Sequence, residues 1–247
     1  MDHYLETVPS PTLKGKLTGL LAPHAGIQYS GPVAAHAYAL LQNADYDTVV
    51  VIGPMHHPIP GVVLTTGHDA YQTPLGTIPV DREILDRLRR SVRLDDLRND
   101  PEHSVEIELP FLQRTLRPGF RLVPLMMFDQ SAVTSQALGL ALAEALRDRH
   151  ALIVASSDLS HFYPQQVANR LDWTMLDCVC AMDADRVLEC NESAKGFACG
   201  HGAIAATLHA LQQAEHAEIT GYATSGDVTG DFSRVVGYGA AAFWQPQ

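Results

Sequence analysis

Continuous apolar runs, rather than alternating ones, mark the strongest predicted strands of this chain. Residues 49–52 are all β-branched, and Gly53-Pro54 follows them directly. Residues 19–22 and 151–155 form two similar apolar runs. A strand without a polar position is typical of a parallel sheet that is covered on both faces. The pattern therefore predicts three buried strands in one largely parallel sheet.

Apolar positions at helical spacing predict helices between the strands. Residues 32–42 carry an apolar stripe, with Ser30 placed to cap the helix and Pro32 in its first turn. A second amphipathic pattern covers residues 131–147, and residues 164–190 are also predicted to be mostly helical. Predicted helices thus separate many of the predicted strands along the chain.

The order of these elements predicts the fold class. Strands and helices alternate, which indicates a single α/β domain with a mixed, largely parallel central sheet flanked by helices. We assign this domain to residues 16–247 and expect residues 1–15 to be a loose lead-in. The first two strands are expected to form a right-handed βαβ unit. Residues 27–30 and 224–234 are predicted loops, and residues 93–102 an exposed polar stretch.

Composition and charge narrow the class of protein. The 247 residues are 46% hydrophobic and 18% charged, as is typical of a soluble globular protein, and the formal net charge is −11. This charge argues against non-specific binding to nucleic acid or to anionic membranes. No apolar run is long enough for a membrane span, and the N-terminus lacks the apolar core of a signal peptide, so we expect a cytoplasmic protein. Its four cysteines are expected to be reduced thiols.

Histidines follow the predicted buried strands. His24 and His56 each come shortly after a strand and a proline, while Asp158 and His161 follow the third apolar run. The carboxyl ends of parallel strands meet at one edge of a sheet, where open α/β folds place their active sites. A lone histidine after a strand is more often an ordinary hydrogen-bonded loop residue. Three coincidences at the same edge favour one shared site instead.

A cysteine completes a candidate set of metal ligands. Cys199 precedes a predicted helix over residues 203–213, and a helix N-terminus favours the thiolate form of cysteine. With His24 and His56, it would offer two imidazoles and one thiolate. Such a set leaves an open coordination position on a divalent metal, as in catalytic sites. His161 could then act as a general acid or base, and Asp158 could orient it or a ligand histidine.

A second group of residues could bind substrate or support the ligands, and each also has an ordinary structural explanation. His103 and Glu106, at positions i and i+3, could share a helical face or merely cap a helix. His201 could activate Cys199 or stand exposed in the first turn of a helix. His57 could equally be a solvent-facing loop residue. Tyr29 could be a packed aromatic residue, and Asp227 a turn residue.

Several longer segments together resemble one known family. They cover the chain in matching order from about residue 20 to residue 243 and read LLAPHAGIQYSG, VVVIGPMHH, YQTPLGTIPVD, EHSVEIELPFLQ, LIVASSDLSHF, ACGHGAIAA, YATSGDVTGD and VVGYGAAAF. These segments resemble the Memo family, whose prokaryotic members are called AmmeMemoRadiSam system protein B. That family is similar in fold to the class III extradiol ring-cleaving dioxygenases, which hold non-haem iron with two histidines and a carboxylate.

The resemblance implies roles for the same residues. His24 and His56 match the two histidine ligands, and Cys199 falls where the dioxygenases place their glutamate ligand. His161 matches the acid/base histidine and Asp158 accompanies it. A thiolate is a softer metal ligand than a carboxylate, so this site could bind zinc or copper as well as iron.

Three functions remain open at this point. The first is a metal-dependent enzyme that carries out redox or oxygen chemistry on a small molecule, with iron, copper or zinc as its divalent metal. The second, implied by the resemblance, is a non-catalytic metal-handling or adaptor protein that works with radical SAM and AMMECR1-like partners. The third is a metal-free enzyme in which Cys199 acts with His161 or His201.

Overall fold

The protein is described by a computed structural model over residues 1–9 and 15–246. The strands are β1 (Gly15–Ala22), β2 (Thr48–Pro54), β3 (Val63–Thr66), β4 (Ala70–Thr73), β5 (Gly76–Pro79), β6 (Leu94–Leu97), β7 (Arg121–Met127), β8 (Ala151–Ser156), β9 (His161–Tyr163), β10 (His216–Thr224) and β11 (Val235–Pro246). The helices are α1 (Asp2–Thr7), α2 (Ile27–Tyr38), α3 (Arg82–Leu88), α4 (Leu109–Thr115), α5 (Ala132–Ala145), α6 (Gln165–Cys180), α7 (Ala184–Glu192), α8 (His201–Ala210) and α9 (Ser225–Thr229). Two short 3₁₀ helices span Ala39–Leu41 and Glu106–Glu108.

The central sheet is mixed, and its middle is parallel. Its strands lie in the order β10-β11-β1-β8-β2-β7-β3-β6, with β9 paired to β11, and β4 and β5 form a separate hairpin. The four middle strands, β1, β8, β2 and β7, run parallel to one another. On the two flanks, β11 pairs antiparallel with β1 and β3 antiparallel with β7. This confirms the predicted α/β class with a mixed, largely parallel sheet.

Both faces of the middle strands are buried, which explains the continuous apolar runs. Val50 and Ile52 of β2 pack on one face in a core that α5 to α8 cover. Val49 and Val51 pack on the other face, in a core to which α2 and α4 contribute Tyr38 and other apolar residues. Successive strand side chains point to opposite faces, so every position of β2 must be apolar or otherwise satisfied.

The first crossover differs from the predicted one in two ways. Helix α2 begins at Ile27, because the N–H groups of Tyr29 and Ser30 already donate to the carbonyl of Gly26. Residues 27–30 are therefore helical, and the Ser30 hydroxyl donates to the Ala25 carbonyl and does not cap the helix. In addition, β8 lies between β1 and β2, so the two strands that α2 connects are parallel but not neighbours.

Three further segments are more regular than the sequence predicts. Residues 94–97 form the edge strand β6, which pairs parallel with β3. Residues 225–229 form α9, which Thr224 and Asp227 close with a reciprocal capping box. Within the expected lead-in, residues 2–7 form α1, while residues 10–14 lie outside the described part of the chain. Among the described residues, no helix combines the length and the apolar character needed to cross a membrane.

Candidate metal centre

The loop after β1 presents His24 at the carboxyl edge of the sheet. The Asp158 carboxylate accepts hydrogen bonds from the backbone N–H groups of His24, at 2.9 Å, and Ala25, at 3.2 Å. The His24 side chain lies with its Nδ1 2.8 Å from the Ser156 hydroxyl, and the residue is only 1% exposed. Burial lowers the pKa of His24 to about 4, against the opposing effect of Asp158. His24 is thus a neutral imidazole at neutral pH, the form that binds metals.

A buried carboxylate holds the two other histidines of the site. Glu102 Oε1 lies 3.0 Å from Nδ1 of His56 and 3.2 Å from Nδ1 of His103. The same carboxylate accepts the backbone N–H groups of His56, His103 and Ser104. Burial opposes the charge on Glu102, but these hydrogen bonds outweigh it and hold the pKa of the carboxyl far below its usual range. The hydrogen bond to Glu102 in turn raises the pKa of His103.

His24, His56 and His103 form a compact triangle. Their ring centroids lie 5.3 Å apart for His24 and His56, 5.5 Å for His24 and His103, and 5.1 Å for His56 and His103. One ligand atom from each residue lies within 4.8 Å of the other two, so the group could hold a metal ion. Every ring uses Nδ1 for a neighbour, which leaves Nε2 as the nitrogen available to a metal.

Cys199 adjoins this triangle through His24. Its Sγ lies 3.3 Å from His24 Nε2 and accepts the Asp158 backbone N–H at 3.2 Å. Burial, and next the charge of Asp158, raise the pKa of Cys199 to about 12. Without a metal the residue is therefore a thiol, which corrects the expectation that the helix N-terminus favours a thiolate. Hydrogen bonds from the Ser157 side chain and from the Asp158 and Gly200 backbone favour the thiolate, but burial and the charge of Asp158 outweigh them.

A cavity of about 330 Å³ opens beside Cys199, and two more of the histidine candidates, His161 and His201, line it. The exposed His161 begins β9, and its Nδ1 lies 2.9 Å from the Leu159 carbonyl. The half-buried His201 begins α8, with Nδ1 3.1 Å from the Ala198 carbonyl, and burial lowers its pKa. The structure thus brings His161, Cys199 and His201 to one cavity next to the triangle, while the Asp158 carboxylate faces the His24 loop.

A chain of buried polar groups lies behind His24. The Ser156 hydroxyl oxygen is 2.7 Å from Glu108 Oε1 and 2.6 Å from the Ser104 carbonyl oxygen. The Tyr38 hydroxyl donates to the other Glu108 oxygen at 2.7 Å. Burial raises the pKa of Glu108 to about 8.

The remaining predicted residues are more peripheral. His57 and Tyr29 are half-buried beside the loops that carry His56 and His24, and Glu106 is exposed on its 3₁₀ helix. Asp227 caps α9, where its carboxylate accepts the Thr224 backbone N–H at 2.7 Å. The alternative that the sequence offers for Asp227 is a turn residue, and its structural role is instead that of a helix cap.

Two carboxylates that touch the site are not among the residues selected from the sequence. Glu102 directly precedes His103, and this adjacency could have indicated it. Glu108 stands between Ile107 and Leu109, but Glu106 is also flanked by apolar residues, so this pattern does not distinguish the buried acid from the exposed one. The helical spacing that selected Glu106 fails because His103 precedes the short 3₁₀ helix, which begins only at Glu106.

Comparisons with known proteins identify relatives of the whole chain. A family model described as "Memo-like protein" matches residues 1–242. A MEMO1 family protein of Methanopyrus kandleri is 40% identical over 235 residues, which covers 92% of this chain and 83% of the relative. A MEMO1 family protein of Methanothermobacter thermautotrophicus is 38% identical over 240 residues, covering 94% of this chain and 86% of the relative.

A solved structure supports the fold alone. It is the crystal structure of an uncharacterized protein from Escherichia coli K12, with a TM-score of 0.50 and 15% sequence identity. The alignment covers 92% of this chain and 99% of that protein.

Proposed function

The chain belongs to the Memo family, and we propose that its histidine triangle binds a divalent, redox-active metal that serves oxygen or redox chemistry on a small molecule. The observation that carries the proposal is the triangle itself, with three ligand atoms within 4.8 Å of one another. Each of its rings is oriented through Nδ1 by a neighbouring carboxylate or hydroxyl. Metal-binding histidines are typically held in this way, which fixes the tautomer and the ring orientation.

The donor set fits a transition metal better than Mg²⁺ or Ca²⁺. Imidazole nitrogens suit iron, copper and zinc, and a thiolate shifts the preference towards softer ions. Nitrogen ligands of a tetrahedral metal lie on the order of 3–4 Å apart, so the triangle needs only a small contraction. His24 is the buried member of the triangle, and His56 and His103 are the two exposed members.

The residues around the metal would divide the remaining tasks. His24, His56 and His103 would hold the ion, and we propose Cys199 as a fourth donor that a substrate could displace. A redox-active ion, when bound, would supply electron transfer to or from oxygen or substrate. His161 lines the cavity beside Cys199 and would take or give a proton to a substrate there. Asp158 would keep His24 in place through the two backbone N–H groups that it accepts.

Metal content tests the proposal, with a neighbouring histidine as the matched control. Protein purified anaerobically without a His-tag is reconstituted with iron(II), desalted and analysed for metal, as wild type, His103→Ala and His57→Ala. We expect near-stoichiometric metal in wild type and in His57→Ala and little in His103→Ala. Equal metal in all three variants would show that the ion binds elsewhere.

Oxygen uptake tests the chemistry itself. Iron-loaded wild type is assayed with a panel of catechol-like compounds, and His161→Ala is the matched variant. We expect turnover with at least one compound, and a loss of that turnover in His161→Ala without a loss of metal. If metal-loaded protein consumes no oxygen with any compound, the protein binds a metal but does not carry out this chemistry.

A further inference from the structure

The Ser156 hydroxyl contacts more polar atoms than its single proton can serve. Its oxygen lies 2.8 Å from His24 Nδ1, 2.7 Å from Glu108 Oε1 and 2.6 Å from the Ser104 carbonyl oxygen. Ser156 is fully buried, so water does not complete the network at its surface. A serine hydroxyl offers one donor and two acceptor positions. Each of the three contacts therefore constrains where the hydrogens lie.

Only one arrangement makes all three contacts hydrogen bonds. The Ser104 carbonyl can only accept, so the Ser156 hydroxyl must donate to it. Ser156 then accepts from its two other neighbours, so His24 carries a hydrogen on Nδ1 and Glu108 carries one on Oε1. If Glu108 were ionised, it would accept the Ser156 proton. The Ser156 oxygen and the Ser104 carbonyl oxygen would then face each other across 2.6 Å with no hydrogen between them.

The far side of Glu108 agrees with this arrangement. The Tyr38 hydroxyl donates to Oε2, which is the carbonyl oxygen of an acid protonated on Oε1. The groups that face Glu108 are Tyr38 from α2, Ser156 from β8 and the like charge of Asp158 in the loop after β8. None of these is a cation, and Glu108 is fully buried. A buried carboxyl without a cationic partner favours its neutral form.

We propose that Glu108 is a positioning residue that works as a neutral carboxylic acid: through Ser156 it fixes His24 as the Nδ1–H tautomer and so presents the Nε2 lone pair to the metal. This inference rests on the proposed metal site for its functional meaning. The two features that it predicts, a neutral Glu108 and a fixed His24 tautomer, are properties of the metal-free protein. Cys199 is consistent with it, since a thiol 3.3 Å from Nε2 can donate to that lone pair.

The variant Glu108→Gln separates this role from that of an anion. The N–H of the introduced amide would donate to Ser156, and the amide carbonyl would accept from Tyr38, as a neutral acid does. If Glu108 acted as an anion, its function would instead be lost in Glu108→Gln. Ser156→Ala removes the acceptor for the His24 Nδ1–H and is the disruptive comparison, with an expected loss of metal affinity of about 10–100-fold.

Infrared and NMR spectra of metal-free protein test the inference directly. At about pH 6, where exposed glutamates are ionised, wild type should show the C=O stretch of a protonated carboxylic acid. Glu108→Gln should lose this band and exposed Glu106→Gln should keep it. Long-range ¹H–¹⁵N spectra should show His24 as the Nδ1–H tautomer in wild type and in Glu108→Gln, and a change in Ser156→Ala.

The outcomes separate this inference from the proposed function. Absence of the carboxylic acid band in wild type, or a His24 tautomer that changes as much in Glu108→Gln as in Ser156→Ala, would overturn the role of Glu108 whether or not a metal binds. If His24 is the Nδ1–H tautomer but the protein binds no metal, the role of Glu108 is supported and the proposed metal site is wrong. If Glu108→Gln does not fold, wild type with ¹³C-carboxyl-labelled glutamate should still show one signal at the neutral-acid position, and the absence of that signal would overturn the inference.

Discussion

Cys199 Sγ lies 3.3 Å from Nε2 of His24, the nitrogen that His24 has free for a metal. A metal bound at this nitrogen would therefore lie near the sulfur as well. The contact joins the histidine triangle on one side to the cavity lined by His161 and His201 on the other. A single thiol thus lies between the place where a metal would be held and the place where a substrate would enter.

Cys199→Ser should change which metals the site prefers. A serine oxygen is a harder and weaker donor than a thiolate, so affinity for zinc and copper should fall more than affinity for iron. Cobalt(II)-loaded wild type should show a sulfur-to-metal charge-transfer absorption that Cys199→Ser lacks. Half-buried Cys180→Ser on α6 is the control and should keep the absorption. An identical spectrum in wild type and Cys199→Ser would show that the sulfur does not bind the metal.

Glu102→Gln should weaken the metal site without moving its ligands far. The substitution keeps the size of the side chain but removes the charge that holds the Nδ1–H groups of His56 and His103. Loss of such a supporting contact typically costs 10–100-fold in metal affinity, and we expect a loss of about that size. Competition with a chelator of known affinity measures it. Exposed Glu106→Gln should bind metal as wild type does, and a comparable loss there would point to a general charge effect.

Stability should fall with pH because of Glu108. Its pKa is raised to about 8 in the folded protein, so between its ordinary unfolded value and 8 the folded state binds more protons than the unfolded state. The contribution to stability is complete below the unfolded pKa and is lost as pH rises to about 8.

The slope for one full proton is about 1.4 kcal/mol per pH unit. Urea unfolding of metal-free wild type and Glu108→Gln at several pH values tests this. The unfolding free energy of wild type minus that of Glu108→Gln should fall as pH rises towards 8. Glu106→Gln should run parallel to wild type. A pH-independent difference between wild type and Glu108→Gln would mean that Glu108 is ionised in the folded protein.

Much of the fold follows from local patterns in the sequence. The continuous β-branched run of β2, ended by Gly53-Pro54, indicates a strand buried on both faces, and the histidines after β1 and β2 do meet at one edge. The order of strands could not be predicted in the same way. Nothing local in the sequence places β8 between β1 and β2, because that choice depends on how all the helices cover the sheet.

The site was harder to predict than the fold for a similar reason. His24 and His56 follow strands and are indicated by position, but His103 reaches the triangle on a loop that no periodicity describes. Glu102 and Glu108 act through contacts with residues about 50 positions away, at His56 and Ser156. The pKa of Cys199 depends on burial, and the sequence shows the helix N-terminus but not the desolvation that outweighs it.

The most direct test of the metal site is a crystal structure of iron- or zinc-loaded protein, with anomalous scattering data collected above and below the absorption edge of the metal. We predict one anomalous peak inside the triangle, with Nε2 of His24, His56 and His103 about 2.0–2.2 Å from it. A peak located only elsewhere on the protein, or no peak between these three histidines in fully loaded crystals, would contradict a metal centre at the triangle.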